Sequence, residues 1–520
     1  MTATPVSSAS GSQPQPDPTA SAPHDAGSAR SARLMALTEP GPLHVRWGLV
    51  VLVSLVIAGV GTLLLGGAPT YDPWAWIIWG REIIQGDLVT TTGPSWKPLP
   101  MFFTVPFALF GDAAPDLWMW VARATALIGI VAVADLAARI GGRLAAGLAG
   151  LAIGLAPLYY AYGIQGSSEG MLVLVCCLAA TAWIDGRRNV AFWWLVAAAL
   201  LRPEAWPFVA LVGLERLKVR PANIWWLAGA AVLVLVTWLV PEKIGGGAYL
   251  RAATRAHAPN PDSAAFASSP ALEVLGSMGN LMLWLPAIGV ALTIVVGAVA
   301  WRRSEPDAPA ESSDGSASTP AASGFPSRGT LQIAFALLAL AFGWVAIVAA
   351  MTEGGYAGNP RYLAAPLGFL VAVGLGGLAW LVRIAAARGL AVVGELLVMG
   401  ALLALVIVAG LRLPGRTDEI RYQSANRVQL DDIASDPGIK AKILACQPIH
   451  THPLMVPPVA WTLGLHVDQV KSNRPLRGGT YIIGTNVPSK ARRPMLPPGL
   501  PVTTIATRSQ VTVVQDCTPR

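Results

Sequence analysis

Apolar runs long enough to cross a lipid bilayer recur between residues 47 and 411, and they exclude most folds open to a chain of 520 residues. A spanning helix needs roughly 20 mostly apolar residues to cross about 30 Å of hydrocarbon, where each backbone polar group must be satisfied within the protein. The runs lie near 47–66, 117–138, 143–161, 169–185, 190–201, 204–217, 223–240, 276–300, 331–351, 362–382 and 389–411, which predicts an all-α polytopic membrane bundle of about eleven transmembrane helices. Hydrophobic residues make up 54% of the chain and charged residues 13%, outside the usual range of a soluble protein. Segment 98–110 is apolar too, but it is short and carries Pro98, Pro100 and Pro106, which suits an interfacial helix better than a span.

The net charge of +8 would point to nucleic acid in a soluble protein. Here the basic residues fall in short gaps between apolar runs, where they set orientation. With the N-terminus cytoplasmic, the inner gaps hold Arg139 and Arg143, Arg187 and Arg188, Arg216, Lys218 and Arg220, Arg302, Arg303 and Arg328, and Arg383 and Arg388. Reading 190–217 as one helix would reverse every later gap and put three basic clusters outside, so a hairpin broken at Arg202-Pro203-Glu204 is expected.

Residues 1–45, rich in Ser, Ala, Pro and Gly, read as a disordered cytoplasmic tail, and 47–66 as a signal anchor that is retained. The membrane domain runs from 46 to 411, with 67–116 as its first external loop and 302–330 as a flexible cytoplasmic linker. Residues 412–520 hold short alternating runs such as Tyr481-Ile482-Ile483 and Gln510-Val511-Thr512-Val513-Val514, which predict a small extracytoplasmic α/β domain. That location permits a disulfide between Cys446 and Cys517, although two free cysteines would read the same; Cys176 and Cys177 lie within an apolar helix.

This parity brings the 67–116 loop, Glu169, Arg202 with Glu204, the 241–275 loop and Gly358-Asn359-Pro360-Arg361-Tyr362 to one external face, around a single cavity. Each candidate also has a structural reading. Asp72 can cap the helix that follows it, with Pro73 in its first turn, and Lys97 can snorkel to headgroups. Arg123, inside a span, can form an ion pair with Asp72, Asp116 or Glu169, or bind an anion. Glu169 suits the positive end of a helix dipole, Arg202 and Glu204 can satisfy each other, and Tyr362 can belong to the interfacial aromatic belt. Arg251, Arg255 and His257 belong to a loop that either covers the cavity or is solvated. His450 and His452 lack the neighbours of a recognisable metal site, and no phosphate-binding Gly loop of the Walker type occurs.

Tyr71-Asp72-Pro73-Trp74-Ala75-Trp76, followed by Gly93-Pro94-Ser95-Trp96-Lys97-Pro98-Leu99-Pro100, resembles the first external loop of the GT-C glycosyltransferases, which use lipid-phosphate sugars. Within it, Lys97-Pro98 looks like the Lys-Pro-Pro-Leu element before an interfacial helix in lipid-A aminoarabinose transferases and related protein mannosyltransferases, with Leu99 here separating the prolines. Arg202-Pro203-Glu204 and Asn359-Pro360-Arg361-Tyr362 resemble further elements of the same family, and the likeness covers most of 47–411 through motif order and topology. It implies that Asp72 is the general base, that Lys97, Arg123 and Arg361 bind the donor phosphate, and that Glu169, Arg202, Glu204 and Tyr362 orient the acceptor or a cation.

The resemblance thus implies a multi-pass plasma-membrane enzyme that passes a sugar from polyprenyl phosphate to a glycan, lipid or protein acceptor of the envelope on the extracytoplasmic side, with inversion. No cofactor is implied with certainty, a divalent cation is compatible, and no nucleic-acid partner is expected. The competing readings are a transporter or flippase of lipid-linked sugars and a non-enzymatic envelope assembly protein. Unusual polar residues clustered on one face, without an evident inverted repeat, favour chemistry over alternating access.

Overall fold

The computed structural model describes residues 22–259, 263–282, 284–303, 324–472, 478–484, 496 and 499–517. Among these, seven helices are long and apolar enough to cross a membrane, or eight if Pro157–Ile164 and Glu169–Ile184, bent by 112°, count as one broken span. The protein is thus a multi-pass membrane bundle, with fewer helices of spanning length among the described residues than the eleven expected. Ala114–Gly154 is two helices meeting at a kink at Gly141 and Gly142, where the sequence also divides 117–138 from 143–161, and the end of the second expected run falls in the separate helix Pro157–Ile164. The expected pair 190–201 and 204–217 forms the 12-residue helix Arg188–Ala199 and the 14-residue helix Trp206–Val219, parted by a turn at Pro203–Ala205. Apolar composition marks what can be buried, whereas prolines and glycines decide how long each helix runs before it breaks.

Ala364–Ala387 is the central helix, and 94% of an 18-residue apolar stretch along Pro360–Ala387 is buried. Glycines let its neighbours approach closely, as is common where helices pack in a membrane. A Cβ on Gly289, in the helix Trp284–Arg303, would lie 2.1 Å from the Gly374 carbonyl oxygen, and one on Gly376 would lie 2.4 Å from Ile140. Thr293 Oγ1 also donates across the first of these contacts to the Val373 carbonyl at 3.1 Å.

One end of the bundle gathers residues from gaps that the sequence places on one side. Arg139 pairs with Asp135 and Asp185, and Arg383 pairs with Glu39. The expectation of an unstructured tail through residue 45 needs correcting here, because Ala22–Leu37 is a helix whose Leu34 packs with Val382, Ala386 and Ala391. Gly142, at φ 68°, makes room for the segment that follows: a Cβ there would strike the carbonyl oxygens of Leu37 and Glu39. So short a packing face leaves little periodic signal in the sequence. Residues 1–21, and most of the expected 302–330 linker, lie outside the described residues.

At the other end, Ala391–Ser435 continues as a 45-residue helix well past the expected boundary at 411. It leads into a domain built on a five-stranded sheet. The strands are β1 (Ile449–Thr451), β2 (Val470–Lys471), β3 (Gly479–Gly484), β4 (Thr503–Thr507) and β5 (Val511–Asp516), in the order β2-β1-β3-β5-β4. β1 runs parallel to β2 and β3, while β5 is antiparallel to β3 and β4. Cys446 and Cys517 form a disulfide across a sequence separation of 71. The domain core, with Ile443, Ile449, Val459 and Val513, also takes in Ile78 from the helix Tyr71–Gln85.

Candidate active site

The helix Tyr71–Gln85 carries Asp72 in its first turn and packs against the C-terminal domain along its length, through Tyr71, Trp74, Ile78 and Arg81. Thr70 is its N-cap residue, so Asp72 sits inside the first turn and does not itself cap the helix. A carboxylate there is favoured by the helix dipole. Its Oδ2 lies 2.6 Å from Nη1 of Arg361. Burial pushes the Asp72 carboxyl up, but Arg361, then Lys97 and Arg202, outweigh burial and hold it below its ordinary value.

Lys97 precedes the helix Pro98–Ala108 and turns inward, so it does not snorkel. Its Nζ donates to Ser168 Oγ at 2.9 Å, lies 3.9 Å from Glu169 Oε1 and sits 5.0 Å from the centre of the Trp76 ring. Burial, followed by the charge of Arg202, draws the Lys97 ammonium down to about 7 against the pull of Glu169.

Glu169 opens the helix Glu169–Ile184, which presses on its neighbour so tightly that a Cβ on Gly170 would lie 2.8 Å from Ala126 Cα. Arg202, at the hairpin break, donates from Nη2 to Glu169 Oε1 at 2.8 Å, and its guanidinium carbon sits 4.4 Å from the Tyr362 ring centre. Arg202 and Glu204 therefore do not simply satisfy each other: Glu204 accepts from the Tyr356 hydroxyl at 3.2 Å. Arg361 lies in the turn Pro360–Leu363, where Asn359 Oδ1 accepts from the Arg361 backbone N–H at 3.2 Å. Tyr362 is buried between the Arg202 and Arg361 guanidiniums and the Tyr356 ring, so it is not part of a lipid-facing belt.

Arg123 stands apart from this network. Its Nε, Nη1 and Nη2 donate to the Ile164 carbonyl, Thr62 Oγ1 and the Gly66 carbonyl at 3.1, 3.0 and 2.9 Å. The expected phosphate ligand instead clamps the end of the first span to the loop that precedes Ser168 and Glu169. A buried guanidinium whose donors reach two carbonyls and a hydroxyl is a structural device, and the sequence cannot tell it from an anion site.

The 241–275 loop also reaches this region. In the helix Arg251–Ala256, Arg251 donates to the carbonyls of Thr92 and Pro94, Arg255 donates to that of Gly93, and Ser95 Oγ donates to the Ala252 carbonyl. This strap fastens the segment that leads into Lys97. Among the described residues no group of three or more His, Cys, Asp and Glu is arranged to hold a metal ion, and Asp72, Glu169 and Glu204 each have a protein donor. In the C-terminal domain, His450 stacks on Tyr481 with ring centres 4.9 Å apart.

Sequence reasoning missed Ser168, Tyr356 and Trp76, ordinary polar and aromatic residues until the fold sets them beside charges. It also missed Arg427, which pairs with Asp116 at 2.7 Å and donates to the Gly67 carbonyl at 2.5 Å, and the 2.8 Å contact of His466 Nδ1 with buried Glu82. Both fasten the C-terminal part to the membrane end.

The bundle, the interfacial helices and the appended domain together make a fold that is shared with a solved membrane-protein structure. The solved structure of ArnT from Cupriavidus metallidurans in the apo state is similar to this chain, with a TM-score of 0.50, 15% sequence identity, and coverage of 91% of this chain and 99% of that one. ArnT from the same organism bound to undecaprenyl phosphate gives a TM-score of 0.49 with the same identity and coverage. No family model matches the chain, and no curated protein matches it.

Proposed function

We propose that this protein is a membrane glycosyltransferase that takes a sugar from a polyprenyl-phosphate donor and passes it to a hydroxyl of a cell-envelope acceptor. The observation that carries the reading is the Asp72–Arg361 contact, half-buried on the arginine side and set in one network with Lys97, Glu169 and Arg202. A sugar hydroxyl is a weak nucleophile, and a positioned carboxylate can take its proton as it attacks. In this mechanism the acceptor oxygen bonds to the anomeric carbon while the bond from that carbon to the phosphate oxygen breaks. The electron pair leaves with the polyprenyl phosphate, the acceptor proton goes to Asp72, and a single displacement inverts the anomeric centre.

The phosphate gains negative charge as it departs. Cations fixed in a buried site then stabilise the transition state more than the bound donor. Arg361 suits this role because its planar donors match phosphate oxygens, with Lys97 as a second charge. Glu169, Arg202, Glu204 and Tyr362 form the wall that orients the acceptor. The basic gaps support a cytoplasmic location for the Arg139 and Arg383 end and, with it, an extracytoplasmic one for Asp72 and the C-terminal domain.

The test is transfer by purified protein in liposomes, supplied with a panel of polyprenyl-phosphate sugars and followed by release of the lipid phosphate. Asp72→Asn is expected to lower the rate by about 10²-fold or more. A folded Asp72→Asn protein that transfers sugar as fast as the parent would overturn the assignment of the base.

A further inference from the structure

The network contains as many carboxylates as cations: Asp72, Glu169 and Glu204 against Lys97, Arg202 and Arg361. A lipid phosphate that enters adds negative charge to a buried region already balanced, so it must take a cation from a carboxylate. The three cations are not equally available. Lys97 and Arg202 both face Glu169, and their side chains are 6% and 5% exposed. Arg361 is 24% exposed, its carboxylate contact is with Asp72, and its Nε has no hydrogen-bond partner among the described residues. It sits at the start of its helix in a short turn, where a small rotation can swing the guanidinium.

We propose that Arg361 exchanges partners during the reaction: free protein holds it on Asp72, and the donor phosphate takes it, releasing the Asp72 carboxylate to face the acceptor hydroxyl. This rests on the polyprenyl-phosphate reading above and goes beyond it by making donor binding the event that arms the base. While paired, Asp72 has its oxygen occupied and its negative charge stabilised, which makes it a poor proton acceptor. Once released into the same buried setting, it is a stronger one. The exchange also imposes an order, because an acceptor bound before the donor meets a carboxylate still held by Arg361. Coupling of this kind is reciprocal: if the phosphate loosens Asp72 from Arg361, Asp72 must weaken phosphate binding.

That reciprocity gives a readout independent of turnover. Binding of undecaprenyl phosphate to the purified full-length protein is measured for the parent, Asp72→Asn and Asp72→Ser, with the corresponding polyprenol as the control lacking phosphate. Removing the competing carboxylate is expected to tighten phosphate binding on the order of tenfold, while transfer is lost. Asp72→Glu, which keeps the charge, is expected to bind like the parent, and Arg361→Gln to bind more weakly than all of them. Two neutral variants keep the test available if one fails to fold. Parent binding with equal or weaker binding by a folded neutral variant overturns the exchange and leaves the glycosyltransferase reading standing. No binding above the polyprenol control by any form overturns that reading, and the exchange with it.

Discussion

Arg202 and Glu169 share a hydrogen bond of 2.8 Å with side chains only 5% and 1% exposed. Breaking a buried pair from one side leaves a bare charge, at a cost of roughly 3–5 kcal/mol. Arg202→Met is therefore expected to destabilise the protein strongly, and the double variant Arg202→Met with Glu169→Gln to recover part of the loss. Thermal unfolding in detergent compares the three forms. A single variant as stable as the parent would show that the pair is solvated.

Lys97 predicts a pH dependence. Burial and the charge of Arg202 bring its ammonium down to about 7, so it is charged below that pH and loses charge above it. The donor phosphodiester does not titrate in this range, so kcat/KM for the donor is expected to fall as pH rises from 6 to 8.5, with a flat profile for Lys97→Arg. Stability runs the other way. The unfolded chain holds this proton over a range where the folded one does not, so the penalty for the buried charge is full below about pH 7 and lifts as pH rises.

Glu82 accepts from Val89 N–H at 2.9 Å beside its own helix and joins that helix to the C-terminal domain through His466 Nδ1 at 2.8 Å. Burial raises its carboxyl above the ordinary value, although both partners pull it down. A raised carboxyl contributes stability that is complete below its unfolded value of 4.5 and is lost as pH rises through the folded one. Docking is thus expected to weaken from pH 5 to 8, and Glu82→Gln to flatten the trend, as read by limited proteolysis of the 412–520 region. An unchanged slope in the variant would assign the dependence to another group.

Gly374 tests the packing of the central helix. A Cβ there would lie 2.3 Å from the Pro286 carbonyl oxygen, a backbone atom that cannot rotate away. Gly374→Ala is expected to cost about 1–3 kcal/mol by forcing the two helices apart. The melting temperature should fall accordingly, whereas alanine at Gly400, which has open space around it, should leave it nearly unchanged.

The Cys446–Cys517 disulfide closes a long loop across the C-terminal sheet. Its removal by Cys446→Ser with Cys517→Ser is expected to destabilise that domain by about 2–5 kcal/mol. Proteolysis should then cut the 412–520 region faster while the membrane helices stay intact.

Much of the fold class is legible along the chain because bilayer burial acts on stretches of about 20 residues, a local property. The broken hairpin at Arg202-Pro203-Glu204 is readable for the same reason, since proline acts on its own backbone. Span lengths are less readable: apolarity alone does not reveal that the last helix extends to Ser435.

For the site, sequence by itself determined which residues carried charge or stood at interruptions between apolar runs: Asp72, Lys97, Glu169, Arg202, Glu204 and Arg361. Only the tertiary structure decided their partners. It sent Arg361 to Asp72, Arg202 to Glu169 and Glu204 to Tyr356, and it used Arg123 as a clamp on two carbonyls and the Thr62 hydroxyl. The physical reason is range. Charge and hydropathy are written residue by residue, whereas a buried ion pair needs two side chains from distant segments to meet within a few ångströms, and helix packing sets that meeting.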